Sequence, residues 1–135
     1  MTTISRIDHI AIAVHSIEEA SQFYIKGLGL TIAKLEEMPE RGIRTAFIII
    51  GESMIELIEP LDKNQNSEIS KFLAERGPGL HHIAFKTKDI NTSMQQLKHQ
   101  GARLVYDKAQ KGAHDTIVNF VHPRSTNGVL VELVE

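Results

Sequence analysis

The order of apolar and polar positions divides the chain into two halves that repeat each other. Residues 6–14 alternate around an apolar run and predict a strand, after which Ser16-Ile17-Glu18-Glu19 has the form of a capping box opening a helix. Ile17, Ala20, Phe23 and Tyr24 fall on its inward face, and Gly27 is its stop. Strands are predicted over 30–38, 43–50 and 54–59, separated by the turn signals Pro39-Glu40-Arg41-Gly42 and Gly51-Glu52. The second half predicts a strand over 81–87, Asp89 as a helix cap with Ile90, Met94 and Leu97 inward, and Gly101 as the stop. Strands over 103–106, 117–122 and 129–134 follow, with a turn over 123–128. Between the halves lie a polar linker, 61–66, and a short helix, 67–76, whose Ile69, Phe72 and Leu73 face inward before Gly77-Pro78-Gly79 re-aims the chain.

The repetition extends to individual residues. Asp8-His9-Ile10-Ala11 recurs as His81-His82-Ile83-Ala84, 73 positions on, and the pairs Ile17/Ile90 and Phe47/Phe120 keep the same offset. Ile55-Glu56-Leu57-Ile58-Glu59 recurs as Val131-Glu132-Leu133-Val134-Glu135. Two copies are too few for a stacked solenoid. The expected architecture is α+β, a single domain 1–135 made of two βαβββ modules, about 5–60 and 80–135, joined by a linker with a short helix, 61–79.

Each module places one His and one Glu in an otherwise apolar strand. Side chains alternate faces along a strand, so only one of the adjacent His81 and His82 can serve as the counterpart of His9, and the 73-residue offset selects His82. A lone strand His is usually a hydrogen-bonded structural residue, and a lone strand Glu usually lies on a solvated face. Repetition of both at matched positions reverses that weighting, because a carboxylate inside an apolar strand is costly unless paired or metal-bound. A concave mixed sheet would bring His9, Glu56, His82 and Glu132 together as ligands of a divalent cation; Co, Ni, Mn and Zn all suit that set. Glu59 and Glu135, on the opposite face, read as solvated strand-end charges. His114, in a Gly-containing loop, is a weaker candidate for touching a substrate.

Composition narrows the function. The 135 residues are 41% hydrophobic and 24% charged, ordinary for one globular domain. A net charge of −2 without basic runs argues against nucleic acid or anionic membrane as partner. There is no Cys, so any metal is held by nitrogen and oxygen, and no stretch is long and apolar enough for a membrane span; a cytoplasmic protein is expected. Sheet edges left by the two modules suggest a homodimer.

Asp8-His9-Ile10-Ala11, Pro39-Glu40-Arg41-Gly42, Glu56-Leu57-Ile58-Glu59-Pro60-Leu61, Gly79-Leu80-His81-His82-Ile83-Ala84, Gly112-Ala113-His114, and His122-Pro123 followed by Gly128-Val129-Leu130-Val131-Glu132-Leu133 together resemble the vicinal oxygen chelate (glyoxalase) superfamily and, within it, the methylmalonyl-CoA epimerase family. The resemblance implies an isomerase of a small acyl-CoA that removes and returns the α-proton, with a metal stabilising the enolate charge. It points to Glu132 as one base. Some family members carry a second Glu in the strand after the Pro-Glu-x-Gly segment, where this chain has Thr45, which leaves Glu56 as the other base and Thr45 as a candidate substrate contact. Glyoxalase I is the alternative enzyme, although His122-Pro123-Arg124-Ser125-Thr126-Asn127-Gly128 differs from its usual turn. A non-catalytic binding member of the superfamily is the third reading.

Overall fold

A computed structural model of the protein describes residues 2–62 and 66–135; positions 63–65 of the expected linker lie outside the described residues. The chain forms two compact units, Ile10–His81 and Met1–His9 with His82–Glu135, and strand β1 (Ile4–Ala13) is divided between them. In sequence order β1 is followed by α1 (Ile17–Ser21), β2 (Ile32–Met38), β3 (Ile43–Ile50), β4 (Ser53–Pro60), α2 (Glu68–Arg76), β5 (Gly79–Thr87), α3 (Ile90–His99), β6 (Gln110–Lys111), β7 (Ile117–Val121) and β8 (Val131–Val134). The fold is α+β, as the two periodicities predict. Among the described residues no helix is long and apolar enough to cross a membrane.

In the unit Ile10–His81 the strand order is β2-β3-β4 followed by the end of β1. Both β2/β3 and β3/β4 are antiparallel, and β1 is tied in by Val14 N–H donating to the Ile58 carbonyl at 2.9 Å. One face of β3 and β4 supplies Ala46, Ile48 and Leu57 to a core closed by Val14 and by Ile17 of α1. Ile48 and Leu57 are fully enclosed, and each such side chain contributes about 1.5–3 kcal/mol of burial free energy. The opposite face carries Thr45, Phe47, Glu56 and Ile58, since Thr45 pairs with Ile58 and Phe47 with Glu56.

In the other unit the order is the start of β1, then β5, β8, β7 and β6. β5 and β8 run parallel, which makes the sheet mixed, while β7 is antiparallel to β8 and to β6. Leu133 packs with Ile90 and Met94 of α3 on one face, and Ala84, Val118 and Val134 cluster separately. Gly112, between β6 and β7, is required by space: a Cβ there would lie 2.6 Å from Val118 Cγ1 and 2.7 Å from Thr116 Oγ1.

Three expectations are corrected. The inward stripe of the first helix includes Tyr24, but Phe23 is 60% exposed. The helix is regular only through Ser21 and continues as a π-helical turn, Gln22–Gly27, whose wider winding turns Phe23 out and brings Ile25 in. The strand expected over 103–106 is irregular: Val105 N–H still donates to Phe120 O, and His122 N–H to Arg103 O. The Asn119 side chain, however, takes both the N–H and the carbonyl of Tyr106, at 3.1 and 3.0 Å, in place of a backbone ladder.

The third correction concerns Glu59 and Glu135. Neither is a solvated strand end: Glu59 Oε2 accepts from Ile17 N–H at 3.3 Å and Glu135 Oε1 from Ile90 N–H at 2.8 Å. Ser16 and Asp89 accept from the N–H groups of Glu19 and Thr92, two residues further into each helix. Each module therefore ties its helix to its last strand by a carboxylate at the helix N-terminus, where the dipole favours negative charge. Glu135→Ala is expected to lower unfolding free energy by about 0.5–2 kcal/mol in urea titration, and Glu59→Ala, with the longer bond, by less.

Candidate metal centre

Within the unit formed by Met1–His9 and His82–Glu135, β1, β5 and β8 are consecutive neighbours and each delivers one buried polar side chain. His9 and His82 are each 6% exposed and Glu132 5%. Local pattern explains the delivery. Glu132 lies between Val131 and Leu133, so the turn of β8 that sends Leu133 to α3 sends Glu132 to the other face. Phe120, its cross-strand partner on β7, packs edge-on against His82 with ring centroids 5.5 Å apart.

The donor atoms form a nearly equilateral triangle. His9 Nε2 lies 3.0 Å from Glu132 Oε1, His82 Nε2 lies 3.1 Å from the same oxygen, and the two Nε2 atoms are 3.3 Å apart. Two ligands at right angles around a metal with bonds of about 2.1 Å are separated by about 3.0 Å. Three buried donors at that spacing, two imidazoles and one carboxylate, fit one face of a divalent first-row ion. Without a metal the same spacing demands protons between the atoms, because lone pairs at such distances repel.

Asp8 completes the surroundings. Its Oδ2 accepts from His9 Nδ1 at 2.8 Å, and Arg6 Nη2 is 3.6 Å from its Oδ1. The hydrogen bond from His9 holds the Asp8 carboxyl below its usual range against the opposing effect of burial. For Glu132, burial pushes the pKa up, but hydrogen bonds from His82 and His9 outweigh it and hold the group at about 2. Asp8 was not among the residues marked by the sequence pattern. The signal was present, an acid adjacent to one of the paired histidines, but its copy is His81, so duplication did not mark it.

Of the four expected ligands, His9, His82 and Glu132 converge within 4.8 Å of one another. Glu56 lies in the other unit, buried on β4 opposite Phe47 just as Glu132 lies opposite Phe120. Thr45 is fully buried on β3, paired with Glu36 and Ile58, and its hydroxyl has no hydrogen-bond partner among the described residues. His114 sits in the turn between β6 and β7 with φ 57°, in the left-handed region. His122 accepts from Arg124 N–H and caps a 3-10 turn.

A family model described as the Glyoxalase/Bleomycin resistance protein/Dioxygenase superfamily matches residues 8–120. The chain belongs to this superfamily. It is 39% identical to the ethylmalonyl-CoA/methylmalonyl-CoA epimerase of Cereibacter sphaeroides, over 96% of this chain and 97% of that protein. The crystal structure of methylmalonyl-CoA epimerase from Mycobacterium tuberculosis superposes with a TM-score of 0.93 at 36% identity, covering 100% of this chain and 90% of that one. A variant of the Streptomyces coelicolor methylmalonyl-CoA epimerase in complex with 2-nitronate-propionyl-CoA gives 0.91 at 36% identity, covering 97% and 96%.

The depressed pKa of Glu132 has a definite stability consequence in the metal-free protein. A carboxyl lower in the folded than in the unfolded state stabilises the fold above its unfolded value, here about 4.5, and ceases to do so as pH falls toward about 2. The difference in thermal midpoint between the protein and Glu132→Gln is therefore expected to be largest near neutral pH and to shrink as pH falls from about 5 toward about 2, as followed by circular dichroism.

Proposed function

We propose that this superfamily member is a metal-dependent methylmalonyl-CoA epimerase that interconverts the (2R) and (2S) thioesters by removing and returning the α-proton. The supporting observation is the buried triangle of His9, His82 and Glu132 in a chain that resembles named epimerases along nearly its whole length. In this reading His9 and His82 bind the ion through Nε2 and Glu132 through Oε1, with Glu56 as fourth ligand. The bound ion supplies a Lewis acid for charge that develops on the substrate's thioester oxygen. Two bases are needed, since inversion takes the proton from one side of the α-carbon and delivers it to the other.

Glu132 and Glu56 are assigned those roles. In the metal-free protein Glu132 is held ionised by its two imidazole neighbours, and the ionised carboxylate is the form that both metal binding and base catalysis require. To act on the α-carbon Glu132 would have to loosen from its ligand position, and a carboxylate freed from a neighbouring cation has a higher proton affinity, nearer the range useful in catalysis. Thr45 and His114 are assigned to substrate contact in the same reading. Assembly as a homodimer belongs to the same reading, on the basis of the sheet edges at β2 and β6.

Proton NMR of methylmalonyl-CoA in deuterated water tests the activity directly. Loss of the α-proton signal that requires both protein and divalent metal is expected; a signal that persists with cobalt, nickel, manganese and zinc would overturn the assignment. His9→Ala and His82→Ala are expected to lose both metal and exchange, and full metal occupancy in both would remove them as ligands. Glu132→Gln is expected to lower kcat about 10²–10⁴-fold with a smaller change in KM, and unchanged turnover would remove it as a base.

A further inference from the structure

We propose that Asp8 is a positioning residue: it holds the His9 imidazole with the proton on Nδ1, so that Nε2 is the nitrogen presented to a bound divalent metal. This rests on the metal-site reading above and adds to it the residue that orients one ligand. The geometry is direct. Asp8 Oδ2 stands 2.8 Å from His9 Nδ1, and both side chains are buried. An ionised carboxylate can only accept, so the ring nitrogen facing it must donate. On the opposite side of the ring, Nε2 is the atom that joins the triangle, 3.0 Å from Glu132 Oε1 and 3.3 Å from His82 Nε2.

Two further observations set Asp8 apart from an ordinary buried acid. Arg6, 3.6 Å from the other carboxylate oxygen, stabilises the charge that makes Asp8 an obligate acceptor. The arrangement is also specific to one copy of the duplicated module. At the position corresponding to Asp8 the second copy has His81, whose ring packs against Phe72 with centroids 5.0 Å apart. The two ligating histidines are thus inequivalent by sequence: the residue preceding His9 is anionic, and the one preceding His82 is aromatic. A carboxylate behind a ligating imidazole fixes its tautomer and ring orientation and strengthens the lone pair on the far nitrogen.

The test is the metal dissociation constant of the full chain, read by competition of cobalt or zinc with a chromophoric chelator, for the unaltered protein, Asp8→Ala and Asp8→Asn. Asp8→Ala is expected to weaken binding about 10–100-fold, and Asp8→Asn, which keeps an accepting oxygen at similar volume, to fall between the two. In the zinc-loaded protein, long-range proton–nitrogen correlation spectra are expected to show His9 protonated at Nδ1. A purely structural role for Asp8 would lower the melting temperature of the metal-free variants and leave their affinity within about twofold of the unaltered protein, which would overturn the proposal, as would zinc on His9 Nδ1. Failure of the unaltered protein to bind any divalent metal would instead overturn the metal-site reading itself.

Discussion

Three proton-binding or metal-binding atoms held about 3 Å apart inside a protein form an arrangement that is unstable unless a cation is shared among them. In this chain the atoms are Nε2 of His9, Nε2 of His82 and Oε1 of Glu132. The low proton affinity of Glu132 follows from that constraint, and Asp8 adds a further carboxylate within hydrogen-bond distance of His9 Nδ1. Burial sharpens it, because removing water leaves the imidazoles, the carboxylate and whatever lies between them as one another's chief sources of electrostatic stabilisation. The strands are organised around it: β1, β5 and β8 are hydrogen-bonded neighbours, and each contributes one donor to the same face.

Duplication explains how a small chain builds such a group. Each module sets a Glu across from a Phe, Glu56 opposite Phe47 and Glu132 opposite Phe120. Each also uses the Glu three residues later to satisfy the first free N–H of its own helix, Glu59 for Ile17 and Glu135 for Ile90. Strand alternation makes both roles available from one short segment, because residues three apart point to opposite faces. The copies have then diverged where local demands differ, as in Asp8 against His81, or in the Asn119 side chain that replaces a stretch of backbone pairing beside β7.

Much of the fold was legible in the pattern of residues. The α+β class, the order of elements and the histidines follow from period-two and helical spacing and from the 73-residue repeat, since these depend on nearest neighbours along the chain. The departures arise where a distant or unusual interaction overrides local preference. Phe23 leaves the core because the helix loosens into a π-helical turn, and residues 103–106 forgo a ladder because Asn119 competes for the Tyr106 backbone.

At the site the division is sharper. Residue types and their repetition determined, without any coordinates, that His9, Glu56, His82 and Glu132 were worth singling out, because a polar residue kept at matched positions in two apolar strands has a cost that chance does not repeat. Only the tertiary structure decided that His9, His82 and Glu132 meet, with Nε2 of each imidazole turned inward, and that Asp8 lies within hydrogen-bond distance of one of them. Likewise it alone decided that Glu59 and Glu135 cap helices. Spacing along a strand specifies a face, but distance, tautomer and hydrogen-bond partner depend on how strands remote in sequence are brought side by side, which no local pattern encodes.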